Sequence, residues 1–480
     1  MNLMKLAFSF ALIASGILGC TAQKAMAEEF PAVADFGDPA RLGQGVQRTM
    51  TLLQSSNPTE RHTVRILLYG QSITAGQWGV RLEKHLRETY PHANLIYDRK
   101  PLSGYSTERL VKTAEADLYP AYADLVIFHD YGNDEDYETM IRTLREQTTS
   151  EILIQGDHFR RSEQVIDETD QSVIETQRQR WAARRNLEFL PAMARKYGGG
   201  FDDRRIPWRS YLKEHQLDSG DLVKDDVHPN EHGTYLMTEL VKAYLVPRSD
   251  TKVDPMNCGF VTTIPIEAIE STTNETLEFE FDGNRIDAVF DQNAKGRCEV
   301  WIDGHRPLED PNMYLHGRNR VKWRGTPIPP GPWPPALKVG FEQPLVEESW
   351  KLIAKQDPEK PSSYTFEVIG SVTGADGRGR TDQRFVSDSG RVVIEADDWD
   401  VEFAIVALRR LETLPSEFQL DWTVVTQATN TAITPDSEPG VEPVVTFAQR
   451  LEDRPHTLRI KGDVSTIRAL RVYKPSAFPR

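Results

Sequence analysis

At 480 residues the chain is too long for one ordinary core, since a domain holds roughly 100–200 residues, and two units are expected. Its formal charge of −15, from 72 acidic against 57 basic residues, sets up a field that repels nucleic acid and anionic lipid, which argues against a polyanion-binding role. With 27% charged and 9% aromatic residues, the composition is that of a folded globular protein rather than a disordered one.

The chain opens MNLMKLAFSFALIASGILGC, in which Lys5 precedes an apolar run from Leu6 to Leu18. That run is too short for a finished transmembrane helix and suits the apolar region of an export signal. It ends in Ile17-Leu18-Gly19-Cys20, which resembles a bacterial lipobox, where Cys20 is lipidated and becomes the mature terminus. Ala25-Met26-Ala27 is a competing cleavage site that would release a soluble protein. Residues 1–27 are thus read as a signal peptide, with export to the periplasm or, since Thr21 and Ala22 follow the cysteine, to the outer membrane. Membrane contact is expected only through that anchor, and soluble secretion is the alternative. Residues 28–60 read as a linker.

From 61 to 248 short apolar runs alternate with amphipathic stretches, the pattern of parallel strands separated by helices. Val64 to Tyr69, Asn94 to Tyr97, Leu125 to Phe128 and Glu151 to Ile154 are the strand candidates. Trp78, Leu82 and Leu86 recur at helical spacing, and Ser106 to Ala116, Tyr137 to Arg145 and Glu231 to Leu245 also read as helices. Gln171 to Lys196 is helical in propensity and Arg-rich, a solvated face interrupted at Pro191.

After Pro247 the texture changes. Thr276 to Phe281, Ile286 to Phe290, Cys298 to Ile302, Tyr364 to Ile369, Arg391 to Glu395, Val401 to Leu408 and Thr457 to Ile460 gather β-branched and aromatic residues between turn residues. Residues 249–480 are therefore predicted to form an all-β sandwich, jelly-roll-like, with its own core. Gly325 to Pro335 and Gly374 to Gly379 read as surface loops, Trp333 covering a loop base or offering a ligand platform. Cys258 and Cys298 could pair in an exported protein, or remain two buried thiols.

The chemistry gathers in four places. Tyr69-Gly70-Gln71-Ser72-Ile73-Thr74 is a small-residue turn directly after a buried strand, which exposes a hydroxyl at the sheet's carboxyl edge. A serine hydroxyl needs a base to become a nucleophile, and Asp225-Asp226-Val227-His228 supplies an imidazole with a carboxylate three residues earlier. Asp225 is the preferred partner and Asp226 the alternative. Gly104 and Asn133, after the second and third strands, could donate hydrogen bonds to an oxyanion. Taken singly, each has an ordinary reading: Ser72 as a helix cap, Gly104 as a turn residue, Asn133 in an Asx-turn. His228 and His232 invite a metal reading, but Pro229 breaks the helical register that would align them, and no metal or cofactor is expected.

The order of these blocks resembles the SGNH (GDSL-like) hydrolases over about Thr63 to Leu245: GQSIT around Ser72, LSGYS around Gly104, YGND around Asn133 and DDVHPN around His228. The resemblance implies a flavodoxin-like three-layer α/β/α fold. It further implies Ser72 as nucleophile, Asp225 and His228 completing the triad, and the Ser72 and Gly104 amides with Asn133 as oxyanion hole. Two positions depart from the pattern: Gln71 replaces the usual Asp, and Tyr131 stands where Gly is usual. By the same resemblance, an exported enzyme with an appended β-sandwich is expected to be a carbohydrate esterase whose partner is an acylated poly- or oligosaccharide. A lipase, or an inactive carbohydrate-binding lipoprotein, are the competing readings.

Overall fold

The computed structural model describes residues 30–270, 273, 275–323, 326–327, 333–407 and 412–475. The segment predicted as a signal peptide, with Cys20, and most of the Pro-rich stretch lie outside the described residues.

In the first half, the elements run α1 (Gln47–Ser55), β1 (Thr63–Gly70), α2 (Gln77–Thr89), β2 (Asn94–Pro101), α3 (Thr107–Asp117), β3 (Leu125–His129), α4 (Asp134–Gln147) and β4 (Glu151–Gln155). They continue through α5 (Gln177–Ala183), α6 (Leu190–Lys196), β5 (Gly200–Asp202), α7 (Arg205–Glu214) and α8 (Glu231–Tyr244). The five strands are parallel in the order β2-β1-β3-β4-β5. Side chains alternate between the faces of a strand, and here both faces are covered, which is why the strands read as unbroken apolar runs. Val64, Ile66 and Leu68 of β1, with Leu125 and Ile127 of β3, enter the core under α1, α2, α7 and α8. Leu67, Tyr69, Val126 and Phe128 enter the opposite core under α3, α4 and α6. The chain therefore has the expected three-layer α/β/α arrangement, and each fully buried Leu, Ile or Phe stabilises it by roughly 1.5–3 kcal/mol.

The stretch predicted as a linker contains part of this core. Val46, Met50, Leu52 and Leu53, in and beside α1, are buried in it, and the amides of Arg48 and Thr49 donate to the Glu151 carboxylate at 2.9 and 2.7 Å. Pro191 does not interrupt its helix either. The chain passes from α5 to α6 through a π-helical segment, Arg184–Phe189, whose wider turn accommodates the missing proline N–H. Nor is this face wholly solvated: Arg185 is fully buried and bonds Asp134 and the Asp130 carbonyl.

The second half is antiparallel β, as expected, but has two cores. A four-stranded sheet (Thr431–Ile433, Arg297–Ile302, Pro455–Gly462, Thr276–Asp282) and a five-stranded sheet (Val444–Gln449, Arg285–Phe290, Ile467–Tyr473, Val261–Pro265, Asn257–Cys258) enclose one core. Between the strands ending at Ile302 and starting at Thr431, the chain inserts a further sheet with its own core around Trp350, Tyr364, Phe418 and Trp422. Gly374–Arg380, predicted as a loop, is a strand of that sheet, paired with Tyr364–Gly370. Its glycines let Phe366 and Phe385 press onto the backbone at Gly379. Residues 401–407, predicted as a strand, are helical, with Ala404 and Ile405 buried on two different cores.

Cys258 and Cys298 are free, which corrects the disulfide reading: they sit in different sheets of the sandwich. Burial pushes the Cys298 thiol up to about 11, so it behaves as an inert core residue.

The two halves share side-chain contacts throughout. Arg318 pairs with Asp117, Tyr122 Oη donates to Asn284 at 2.7 Å, and Asn284 Nδ2 donates to the Gln147 carbonyl at 2.8 Å. Trp333, Leu337 and Ala404 from the inserted unit pack into the α3–α4 core. The second half thus has cores of its own, as expected, and also lends these three side chains to the first half.

Candidate active site

Ser72 lies in the turn 71–76 after β1, beside the point where connections from β1 and β3 depart to opposite sides of the sheet. In open α/β sheets ligands bind at that crevice. Gly70 makes the turn possible. With φ +150° it runs so close to β3 that a Cβ there would meet the His129 carbonyl at 1.9 Å. Ser72 does not cap α2, whose cap is Gly76, so the ordinary helix-cap reading is removed.

His228 Nε2 stands 2.8 Å from Ser72 Oγ, and His228 Nδ1 is 2.9 Å from Asp225 Oδ2. Asp225 Oδ1 also accepts the amides of Val227 and His228, each at 2.8 Å. Burial is the largest single influence and works against this carboxylate, but those amides and the imidazole together outweigh it and bring its pKa down to about 2. An ionised Asp225 requires a proton on Nδ1, which leaves Nε2 as an acceptor facing Ser72. Asp226, the alternative partner, instead accepts from the Ser162 amide at 3.0 Å and faces Arg178 at 3.5 Å.

The loop carrying this pair is fixed from behind. His158 Nε2 donates to the Val227 carbonyl at 2.6 Å, and Arg161 donates to the carbonyls of Asp225 and Val223 at 3.1 and 2.6 Å. Burial lowers the His158 pKa to about 3, so the ring stays neutral with its proton on Nε2. His232 is held elsewhere, by Tyr211 Oη at 2.7 Å and stacked on Phe30. Among the described residues no three His, Cys, Asp or Glu side chains converge as metal ligands.

Gly104 and Asn133 lie in the loops that flank Ser72, after β2 and β3. Those loops are tied together: Leu102 N donates to Gly70 O at 2.8 Å, Thr107 N to Tyr131 O at 3.0 Å, and Thr107 Oγ1 to Asn133 O at 3.0 Å. Gly132, at φ +127°, allows the approach, since a Cβ would lie 2.4 Å from Thr107 Oγ1. Asn133 caps α4, its Oδ1 accepting the Glu135 and Asp136 amides at 2.7 and 3.1 Å. The cap uses the oxygen and leaves Nδ2 as a donor.

Two features go further than the sequence. The first is a hydrogen-bond chain behind Ser72 through Gln71, His129 and Asp157: buried hydrogen bonding is the ordinary expectation for His129 and Asp157 at their strand ends, with substrate contact the alternative, and the join to Ser72 through Gln71 is what the structure adds. The second comes from the other half of the chain. Trp333, 8% exposed, donates its indole N–H to the Ser103 carbonyl at 2.8 Å, and Tyr105 Oη donates to the Pro334 carbonyl at 3.0 Å. Trp333 thus covers the loop of Gly104 rather than standing as an open platform. A cavity of about 930 Å³ lies between α3 and the β units, and Ser72, Asp225 and His228 are not among the residues that line it.

No protein-family model matches the chain, and no curated protein matches it. Solved structures similar to it include a two-domain esterase active on acetylated mannans, co-crystallized with mannopentaose. That match is 12% identical and covers 91% of this chain and 97% of that one, with a TM-score of 0.33. An acetyl xylan esterase is 16% identical over 38% of this chain and 100% of that one, at 0.33. A variant of an acetyl xylan esterase from Geobacillus stearothermophilus is 18% identical over 40% and 100%, at 0.32. Each is a remote likeness.

Proposed function

We propose that the protein is a serine ester hydrolase of SGNH type, acting through an acyl-enzyme on Ser72, and that its substrates are O-acyl esters, foremost O-acetyl esters, on poly- or oligosaccharide. The observation that carries the reading is the unbroken line from Asp225 through His228 to Ser72, with both links within 2.9 Å. In this mechanism Ser72 Oγ attacks the ester carbonyl while His228 Nε2 takes its proton, and Asp225 holds the tautomer and stabilises the imidazolium. The Ser72 and Gly104 amides and Asn133 Nδ2 stabilise the oxyanion. Collapse expels the sugar alkoxide, which takes the proton from His228. Water, deprotonated by His228, then releases the acid.

The openness of the site favours an ester carried on a polymer over a lipid acyl chain. The His228 and Asp225 side chains are 39% and 52% exposed, whereas an acyl channel would enclose them. The carbohydrate part of the proposal rests on the resemblance of the four sequence blocks and the appended β units. The same proposal places the enzyme outside the cytoplasm, tethered through Cys20, on the strength of the N-terminal sequence alone.

The test is acetate release from acetylated polysaccharides by the wild type and Ser72→Ala. The substitution is expected to lower the rate by roughly a thousandfold or more with folding retained. Equal release by the two proteins overturns the assignment.

A further inference from the structure

Behind Ser72 a second line of hydrogen bonds runs into the protein, away from His228. Gln71 Oε1 accepts from Ser72 Oγ at 2.9 Å and from the Ile73 amide at 3.0 Å. Gln71 Nε2 meets His129 Nδ1 at 2.8 Å, and His129 Nε2 meets Asp157 Oδ1 at 3.1 Å. Gln71 and His129 are 2% and 1% exposed.

Every donor and acceptor in this line follows from one backbone group. The Ile73 N–H can only donate, so the atom of Gln71 facing it is the oxygen and the amide nitrogen faces His129. His129 Nδ1 must then accept, and its only ring proton lies on Nε2, directed at Asp157. The charge states agree. Burial lowers the His129 pKa and keeps the ring neutral. Burial also works against the Asp157 carboxylate, yet its hydrogen bond to His129 and the charges of Arg185 and Arg205 hold it well below the usual range.

We propose that Gln71 is a positioning residue for the nucleophile, and that His129 and Asp157 act through it by locking its amide in the one orientation that presents an oxygen to Ser72. The proposal rests on the hydrolase reading and deepens it. Ser72 has a single proton and two acceptors, Gln71 Oε1 at 2.9 Å and His228 Nε2 at 2.8 Å. Together they confine Oγ to one rotamer, poised between the base and the turn amides, so that attack begins without a search for geometry. The amide also keeps this place neutral. If His129 moved its proton to Nδ1, that proton would face the Gln71 NH2, and relieving the clash would turn a donor toward both Ser72 and Ile73. Asp157 prevents the shift by holding the proton on Nε2.

The test is a double-mutant cycle on a small aryl acetate, with thermal melts alongside. Gln71→Ala is expected to lower kcat about tenfold with KM unchanged, the scale of one well-placed hydrogen bond. Asp157→Ala, whose side chain is partly exposed, is expected to lower kcat in the same way. The double variant should lose no more than Gln71→Ala alone, because both residues act in one line. A purely structural role would give independent losses that multiply. Gln71→Glu supplies a second readout: the carboxyl can mimic the amide only when it and His129 share one additional proton, so its kcat/KM profile should show an ionisation absent from the wild type. Wild-type kcat in Gln71→Ala, multiplying losses, or an unchanged profile in Gln71→Glu overturns the proposal. An inactive Ser72→Ala beside a fully active Gln71→Ala sinks this inference alone, whereas a fully active Ser72→Ala sinks the hydrolase reading beneath it.

Discussion

Buried neutral imidazoles do different work at His158 and His316. His158 holds the loop of Asp225 and His228 through the Val227 carbonyl, and His316 accepts from Trp422 Nε1 at 2.9 Å while donating to the Arg391 carbonyl at 2.8 Å. Burial lowers their pKa values from 6.5 to about 3 and about 4. The unfolded chain therefore binds these protons first. Their contribution to stability is complete above about pH 6.5 and is lost as the pH falls toward 4 and then 3, at up to ~1.4 kcal/mol per pH unit for each histidine. Urea unfolding at pH 7, 5 and 4 should show this decline, and His316→Gln, which can keep both hydrogen bonds without titrating, should flatten it. An identical slope in the variant would remove His316 from the account. At this scale the hydrogen-bonded line of Ser72, His228 and Asp225 was legible because these residues come with spacing that carries chemistry. Gln71 was visible only as a departure from a pattern. His129 and Asp157 stand out in the sequence only as strand-end residues near the site, suited to buried hydrogen bonding or substrate contact, and it is the pairing of β3 with β4 that brings these two together.

At the scale of elements, the loop between β2 and α3 is the one that the rest of the protein holds most deliberately. Ser103 is bonded by Trp333, Tyr105 by Pro334, Arg109 pairs with Asp400 and stacks on Phe403 at 3.7 Å, and Lys112 pairs with Asp398 at 2.9 Å. All five partners come from the inserted β unit, so that unit braces the loop carrying Gly104 together with the start of α3. Trp333→Phe keeps most of the ring in the core and removes only the hydrogen bond to Ser103. It is expected to lower kcat on a small aryl ester about fivefold, the equivalent of ~1 kcal/mol, with little change in melting temperature. An unchanged kcat would make Trp333 a packing residue only. Element type was legible where the period was clear, as in α2 with Trp78, Leu82 and Leu86 on one face. It failed where tertiary contacts decide: residues 401–407 carry the β-branched and apolar character of a strand, yet their side chains serve two cores at once and the backbone coils to reach both.

For the whole molecule, the change of texture near Pro247 correctly separated the parallel sheet from antiparallel β structure, since periodicity reports which faces are buried. It could not reveal that the β half encloses two cores, because an insertion between paired strands leaves no mark in local pattern. Nor could it reveal the shared boundary: Trp333 reaches Ser103 across 230 residues. What the fold achieves at this scale is to bring the Ser72 turn, the two flanking loops and the Asp225–His228 loop to one edge of the sheet, with the β half bracing one side. The most direct measurement of that claim treats the full chain with a serine-directed fluorophosphonate and maps the adduct by mass spectrometry. One adduct on Ser72 is expected, absent in Ser72→Ala and formed far more slowly in His228→Ala. An adduct on another residue, or labelling and turnover that persist in Ser72→Ala, would contradict the assignment of Ser72 as the nucleophile.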